Sequence, residues 1–186
     1  MPHLFRTVAL ISLTFCASMT HSAQAPEQAS EKPSLDDRNA VGAFVQDFYD
    51  WYAPIAYRQK NSLPWETAIA LKSSLFSTKL NVLLNIDKHT GAKLDGTYVS
   101  LDVDPFLNTD NPCERYIVGD VIEYDKSFRV GVQAICHGKL RQKNSLQAEV
   151  IKKKDHWQFV NFHYPEGNDV FAVLKDLRKH RGNDLE

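Results

Sequence analysis

After residue 35 the apolar positions first recur at spacings of three and four and later at every second residue, so the chain reads as helices followed by strands. Val41, Phe44, Val45, Phe48, Tyr52 and Ile55 form one stripe, and Asp36 and Asp37 stand where a helix start favours negative charge. This predicts a long amphipathic helix that ends at Pro54 or just past it. Residues 62–76 predict a second helix, with Pro64 in its first turn and Trp65, Ala68, Ile69 and Leu75 inward. Residues 77–89 predict a third, built around Leu80, Leu83 and Leu84 and closed by Gly91.

Beyond Gly96 the period changes to two. Residues 98–103 form a short extended run. Residues 116–122 pair with 128–136 across a turn centred near Asp125, where Phe128, Val130, Val132, Ala134 and Cys136 alternate strictly. Residues 146–152 and 157–164 form a second hairpin across Lys153-Lys154-Asp155. Residues 168–180 close the chain as a helix on Val170, Phe171, Leu174 and Leu177. Helices followed by a meander of strands give an α+β fold. The last strand is apolar on both faces, Trp157 and Phe159 against Val160, Phe162 and Tyr164, unlike a strand with one face in water. The second face therefore needs a cover.

The beginning of the chain has a different pattern. Arg6, the apolar run Val8 to Cys16 and Ala23-Gln24-Ala25 have the order of a secretory signal peptide, which places the mature start near Pro26. The run falls short of the roughly twenty apolar residues of a membrane span, and Phe15 is too large for the position before a lipidated cysteine. The expected organisation is a signal peptide over 1–25, a disordered lead over 26–35, one domain over 36–181 and a tail over 182–186, in a periplasmic protein with no span in its mature form. Without the signal the charges nearly balance, which implies neither nucleic acid nor an anionic membrane as partner. Cys113 and Cys136 remain, an even pair in an oxidising compartment. Folding the first hairpin about Asp125 opposes even-numbered residues and brings Cys136 beside Glu114, one step from Cys113. A Cys113–Cys136 disulfide is the expectation.

Asp102 and Asp104, followed by Asn108, Asp110 and Asn111, collect oxygen atoms of the kind hard cations use. The calcium-hand template fails, because Phe106 stands where it needs an oxygen ligand and Leu107 where it needs glycine. Turn chemistry around Pro105 and Pro112 accounts for the same residues. His137, His156 and His163 have no zinc-ligand spacing. The chain has no nucleophile elbow, no phosphate-cradling glycine loop and no His-Glu-x-x-His pattern, so neither a metal nor a cofactor is expected.

Three segments together, Phe48-Tyr49-Asp50-Trp51-Tyr52, Leu101-Asp102-Val103-Asp104-Pro105-Phe106 leading to Asn111-Pro112-Cys113, and Trp157 to Tyr164, resemble a bacterial envelope family known as a domain of unknown function. That family is similar to the nuclear-transport-factor-two-like, or cystatin-like, cone, in which a curved antiparallel sheet wraps a long N-terminal helix. The resemblance implies that Tyr49, Trp51 and Tyr52 are core, and it carries over no catalytic residue.

Two functional classes follow. The first is a non-catalytic module that holds a protein partner, with Val160, Phe162, Tyr164, Asp102 and Asp104 as binding residues. Its concrete form is an immunity protein that blocks a toxin aimed at the envelope, and a homodimer stays open. The second is a small-molecule pocket of the ketosteroid-isomerase kind, with Asp50 or Asp102 as base and Tyr49 or Tyr98 as hydroxyl donor. It rests on fold analogy alone.

Overall fold

The computed structural model describes residues 35–59, 63–90, 92–94 and 97–181. The expected signal peptide, the lead up to residue 34 and the 182–186 tail lie outside the described residues. The elements are α1 (Leu35–Arg58), α2 (Pro64–Leu71), α3 (Thr78–Thr90), β1 (Ala92–Leu94), β2 (Thr97–Val99), β3 (Arg115–Tyr124), β4 (Ser127–Cys136), β5 (Lys139–Leu140), β6 (Leu146–Lys153), β7 (His156–His163) and α4 (Val170–His180). The fold is α+β: helices, then a curved, unclosed antiparallel sheet of five strands, then a short helix. Among the described residues no helix is long and apolar enough to cross a membrane.

α1 runs one turn beyond the end expected at Pro54. Proline has no N–H for the Asp50 carbonyl, but Ala53 and Ala56 are buried on the same face as Val41, Val45, Phe48, Tyr49 and Tyr52. Tertiary packing therefore carries the helix through the lost bond. The second expected helix is shorter than its pattern, Pro64–Leu71, and Ser73–Leu75 continues it as a 3-10 turn. The extended run at 98–103 is a strand only over Thr97–Val99, paired with Ala92–Leu94 in a separate two-stranded sheet.

The main sheet has the order β3-β4-β6-β7, with β5 paired to the end of β4. At the turn, Tyr124 faces Ser127 across Asp125-Lys126, and Asp125 takes a left-handed φ of 52°. One extra residue enters β3 between Val118 and Val121. Beyond this bulge Val118 faces Val132, Tyr116 faces Ala134 and Arg115 faces Ile135. The expected opposition of even-numbered residues therefore holds on the cysteine side of the bulge and fails on the turn side, where Ile122 faces Arg129. The cysteines benefit from this shift: Cys113 and Cys136 are bonded, with Cα atoms 4.8 Å apart.

A second bulge corrects the reading of the last strand. Val150 faces Phe159 while Glu149 faces Asn161, so Val160 is the extra residue. The skipped position puts Phe159 and Phe162 on one face, and both are fully buried. The strand is thus not apolar on two sides, and its other face carries Asn161 and His163 opposite Glu149 and Gln147. Val160 is half-buried at the bulge.

The core lies between α1 and the inner face of the sheet. Phe48 is its hub, with ring centroids 4.9 Å from Phe159, 5.2 Å from Tyr52 and 5.8 Å from Phe106. Phe106 continues the cluster to Phe162 at 4.9 Å and stacks on Phe76 at 5.0 Å. The Gln46 side chain joins helix to sheet, donating from Nε2 to Tyr116 O at 3.1 Å and accepting at Oε1 from Val118 N–H at 2.8 Å. Further along the chain, Asp87 on α3 accepts from Leu101 N–H at 3.0 Å and pairs with Arg181, which also donates to Thr90 Oγ1 at 2.6 Å. This buried pair ties the chain after α4 to α3.

Candidate functional site

At one end of the sheet an open cavity of about 660 Å³ lies between three parts of the chain. The end of α1 and the start of α2 supply Ala56, Tyr57, Gln59, Leu63, Pro64 and Trp65. The loop after β2 supplies Asp102, Asp104 and Thr109 to Glu114. The end of β4, the turn after it and the residue following β5 supply Cys136, His137 and Arg141. Pro64 starts α2 without needing a donor and is buried with Trp65, so the helix end forms a wall.

The loop is held from its base. Asp104 accepts at Oδ1 from Phe106 N–H at 2.9 Å and at Oδ2 from the Tyr52 hydroxyl. Its backbone closes the turn, with the Asp104 N–H donating to Thr109 O at 3.1 Å and the Asn108 N–H donating to Asp104 O at 2.8 Å. Asn108 takes a φ of 53°, which asparagine tolerates better than a branched residue. Tyr49 donates to Phe106 O at 2.7 Å and Tyr164 donates to Pro105 O at 3.0 Å. Two tyrosines of α1 and one just past the end of β7 thus fasten three consecutive loop residues.

Burial sets the electrostatics here. It pushes the Asp104 carboxyl up to about 7, against the opposing hydrogen bonds from Tyr52, Phe106 and Leu107. Burial, followed by the charge of Asp104, also raises the Tyr49 and Tyr52 hydroxyls well above their ordinary value. At the rim, hydrogen bonds from its own amide, Gly138 and His137 hold the Glu114 carboxyl below its ordinary value. The Gly138 amide lies 3.2 Å from Glu114 Oε1, in a tight turn where His137 and Gly138 both have positive φ. The disulfide locks the loop to the end of β4, and Arg141 Nε lies 3.2 Å from Cys136 Sγ.

The expected binding residues divide. Asp102, exposed, and Asp104, buried, both line the cavity, as do Cys113 and Cys136. Phe162 is buried in the core, and Tyr164 is half-buried with its hydroxyl engaged, so neither forms the exposed apolar strand face that the alternation suggested. Of the expected bases and donors, Asp50 is exposed and accepts from Gln46 at 2.9 Å, and the Tyr49 hydroxyl is directed to a backbone carbonyl. The Tyr98 side chain lies outside the described residues. The oxygens of the acidic loop do not converge, since Asp104 turns inward and Asn108 Nδ2 lies 3.5 Å from Ser145 O and Glu166 Oε2.

Sequence reasoning missed the Asp104–Tyr52 pair, although Pro105-Phe106-Leu107 beside Asp104 was a signal that the loop enters the core. It also missed Trp65 and Arg141 as wall residues. A further polar line crosses the outer face of the sheet: Ser127 Oγ lies 2.9 Å from Glu149 Oε1, His163 Nε2 lies 2.6 Å from Glu149 Oε2, and His163 Nδ1 lies 4.0 Å from Asp169 Oδ2. The carboxylate stands between serine and histidine, so the ring has no serine proton to take and the line is not a nucleophilic triad. No protein-family model, curated protein or solved structure matches the chain.

Proposed function

We propose that this is a non-catalytic binding module of an exported protein, and that it holds its ligand in the cavity between the start of α2, the Asp102–Glu114 loop and the Cys113–Cys136 disulfide. The observation that carries the reading is the cavity itself. At about 660 Å³ it falls within the range of small-molecule sites, and its walls are fastened by a disulfide and by tyrosine hydrogen bonds, so little ordering remains for binding to oppose. The nuclear-transport-factor-two-like resemblance is kept within the proposal as the frame in which such a cavity is read. An enzyme of the ketosteroid-isomerase kind is the weaker reading, because Asp50 is exposed and engaged with Gln46 and the Tyr49 hydroxyl is spent on the Phe106 carbonyl.

The test is a thermal-shift and calorimetric panel of small amines, carboxylic acids and sugars on the mature protein, repeated on Thr109→Trp, which places an indole in the cavity. A ligand at one hundred times its Kd should stabilise the fold by about 2.7 kcal/mol, or roughly 5 to 10 °C in Tm. The variant should lose this response while keeping its own melting temperature. A panel without a single hit, or hits indifferent to the indole, would overturn the cavity as the site.

A further inference from the structure

We infer that the Cys113–Cys136 disulfide is a site of thiol exchange, at which a small thiolate attacks Cys113 Sγ and Cys136 leaves as a thiolate held by Arg141. The reaction uses the cavity only as its way in, so it stands whether or not the cavity also keeps a ligand. Three observations carry it. Both cysteines are half-buried and line the open cavity, which leaves the bond within reach of a thiolate in the folded protein. The two sulfurs have unlike surroundings: Arg141, itself exposed, donates from Nε to Cys136 Sγ at 3.2 Å, whereas Cys113 is followed by the carboxylate of Glu114. The chain beyond Cys136 is also lightly held. His137 and Gly138 both have positive φ, and the two residues of β5 are exposed and pair only with the end of β4.

A cation beside a sulfur stabilises its thiolate, and exchange is faster when the departing sulfur is the better stabilised one. Arg141 therefore makes Cys136 the leaving group and directs attack to Cys113. With a monothiol, the new S–S bond forms between the thiol and Cys113 Sγ, and the electron pair of the broken bond goes to Cys136 Sγ. With a dithiol, its second thiolate then attacks its own first sulfur, closes the dithiol to a disulfide and expels Cys113 as a thiolate. Two electrons pass from the dithiol to the cysteines. Of the two protons the dithiol gives up, Cys113 takes one and the solvent the other while Cys136 stays ionised. Opening the bond releases the loop near Cys113 from the end of β4, but Tyr49, Tyr52 and Tyr164 still fasten residues 104–106. The change is thus confined to the cavity wall, and the core stays closed.

The probes are 2-mercaptoethanol and dithiothreitol, applied to the oxidised mature protein under native conditions. After brief exposure to 2-mercaptoethanol, an alkylating quench and peptide mapping should find the mercaptoethanol adduct on Cys113 and the alkyl group on Cys136. Opening by dithiothreitol should have a rate that small additions of urea leave nearly unchanged. Arg141→Gln should keep the melting temperature of the oxidised protein and slow opening by about threefold or more, and Arg141→Lys, which keeps a charge, should recover most of that rate. An adduct that favours Cys136 or is shared equally would overturn the assignment, and this readout needs no variant. So would a rate that rises with urea in step with global unfolding, since the bond would then be reached only in the unfolded chain. Equal rates in the parent and Arg141→Gln, or equal losses in Arg141→Gln and Arg141→Lys, would likewise overturn it. A ligand panel without hits would leave these rates untouched, so failure of the cavity reading and failure of the exchange site are read separately.

Discussion

Asp104 makes the stability of the fold depend on pH in the direction opposite to most carboxylates. Its carboxyl rises from an ordinary 3.8 to about 7 in the folded chain because burial disfavours the charge. The folded state therefore holds this proton more tightly than the unfolded state does. The stabilisation is fully present below pH 4, is lost progressively as pH rises towards 7, and is absent above it. A tenfold change in proton affinity is about 1.4 kcal/mol, so the whole effect is about 4 kcal/mol, a large part of an ordinary domain's stability. Asp104→Asn provides the test. The amide keeps an oxygen for Phe106 N–H, its NH2 can donate to the Tyr52 hydroxyl oxygen, and it does not ionise. Urea unfolding of parent and variant, both oxidised, should be measured from pH 4 to pH 8. The parent should lose up to about 4 kcal/mol relative to the variant across that range, with the variant equal or more stable at pH 8. Parallel profiles would refute the buried, proton-holding carboxyl; a variant that is less stable by the same amount at every pH would show that Asp104 acts only as a turn anchor.

Three further outcomes are expected. Reducing the Cys113–Cys136 bond, which closes a sequence separation of 23, should cost about 3 kcal/mol in urea unfolding, while thiol titration of the native protein finds no free cysteine. Phe162→Ala should cost about 3 to 5 kcal/mol and Val160→Ala about 1 kcal/mol or less; equal costs would contradict the bulge that buries one and half-exposes the other. Asp87→Ala should cost about 3 to 5 kcal/mol because it leaves Arg181 buried and unpaired, and a double variant that also replaces Arg181 by Met should recover part of that loss.

The helices and hairpins were legible because each shows its own period, and their ends agree with the structure within a few residues, apart from the shortened α2. The two bulges were not legible. An extra residue at Gly119-Asp120 or at Val160 leaves the local alternation almost intact, and its position is set by which side chains the core accepts. Reading Val160, Phe162 and Tyr164 as one face followed directly from assuming an unbroken strand. For the same reason the acidic loop was legible only as a loop. Asp102 and Asp104 differ by two positions and look equivalent, yet Tyr52, distant in sequence, meets only the second. Trp65 and Arg141 reach the cavity through packing between distant segments, which no local spacing records.

The Gln46 amide has a consequence for how this chain behaves among copies of itself. Tyr116 C=O and Val118 N–H are an i, i+2 pair on β3, the outermost strand on that side, and such a pair is what a neighbouring strand would use to add itself to the sheet. One side-chain amide occupies both positions, in the manner of a single peptide unit of an absent strand. Immediately after it the extra residue between Val118 and Val121 breaks the spacing a new strand would need. At the opposite border Phe76 bridges Phe159, and Ser77 N–H donates to Phe159 O at 2.8 Å, which engages part of β7 with the segment after α2. Neither border offers an uninterrupted ladder, so the sheet resists growing into the stacked assemblies that crowded, partly folded chains form, and any pairing of two copies would have to use side chains in place of strand addition.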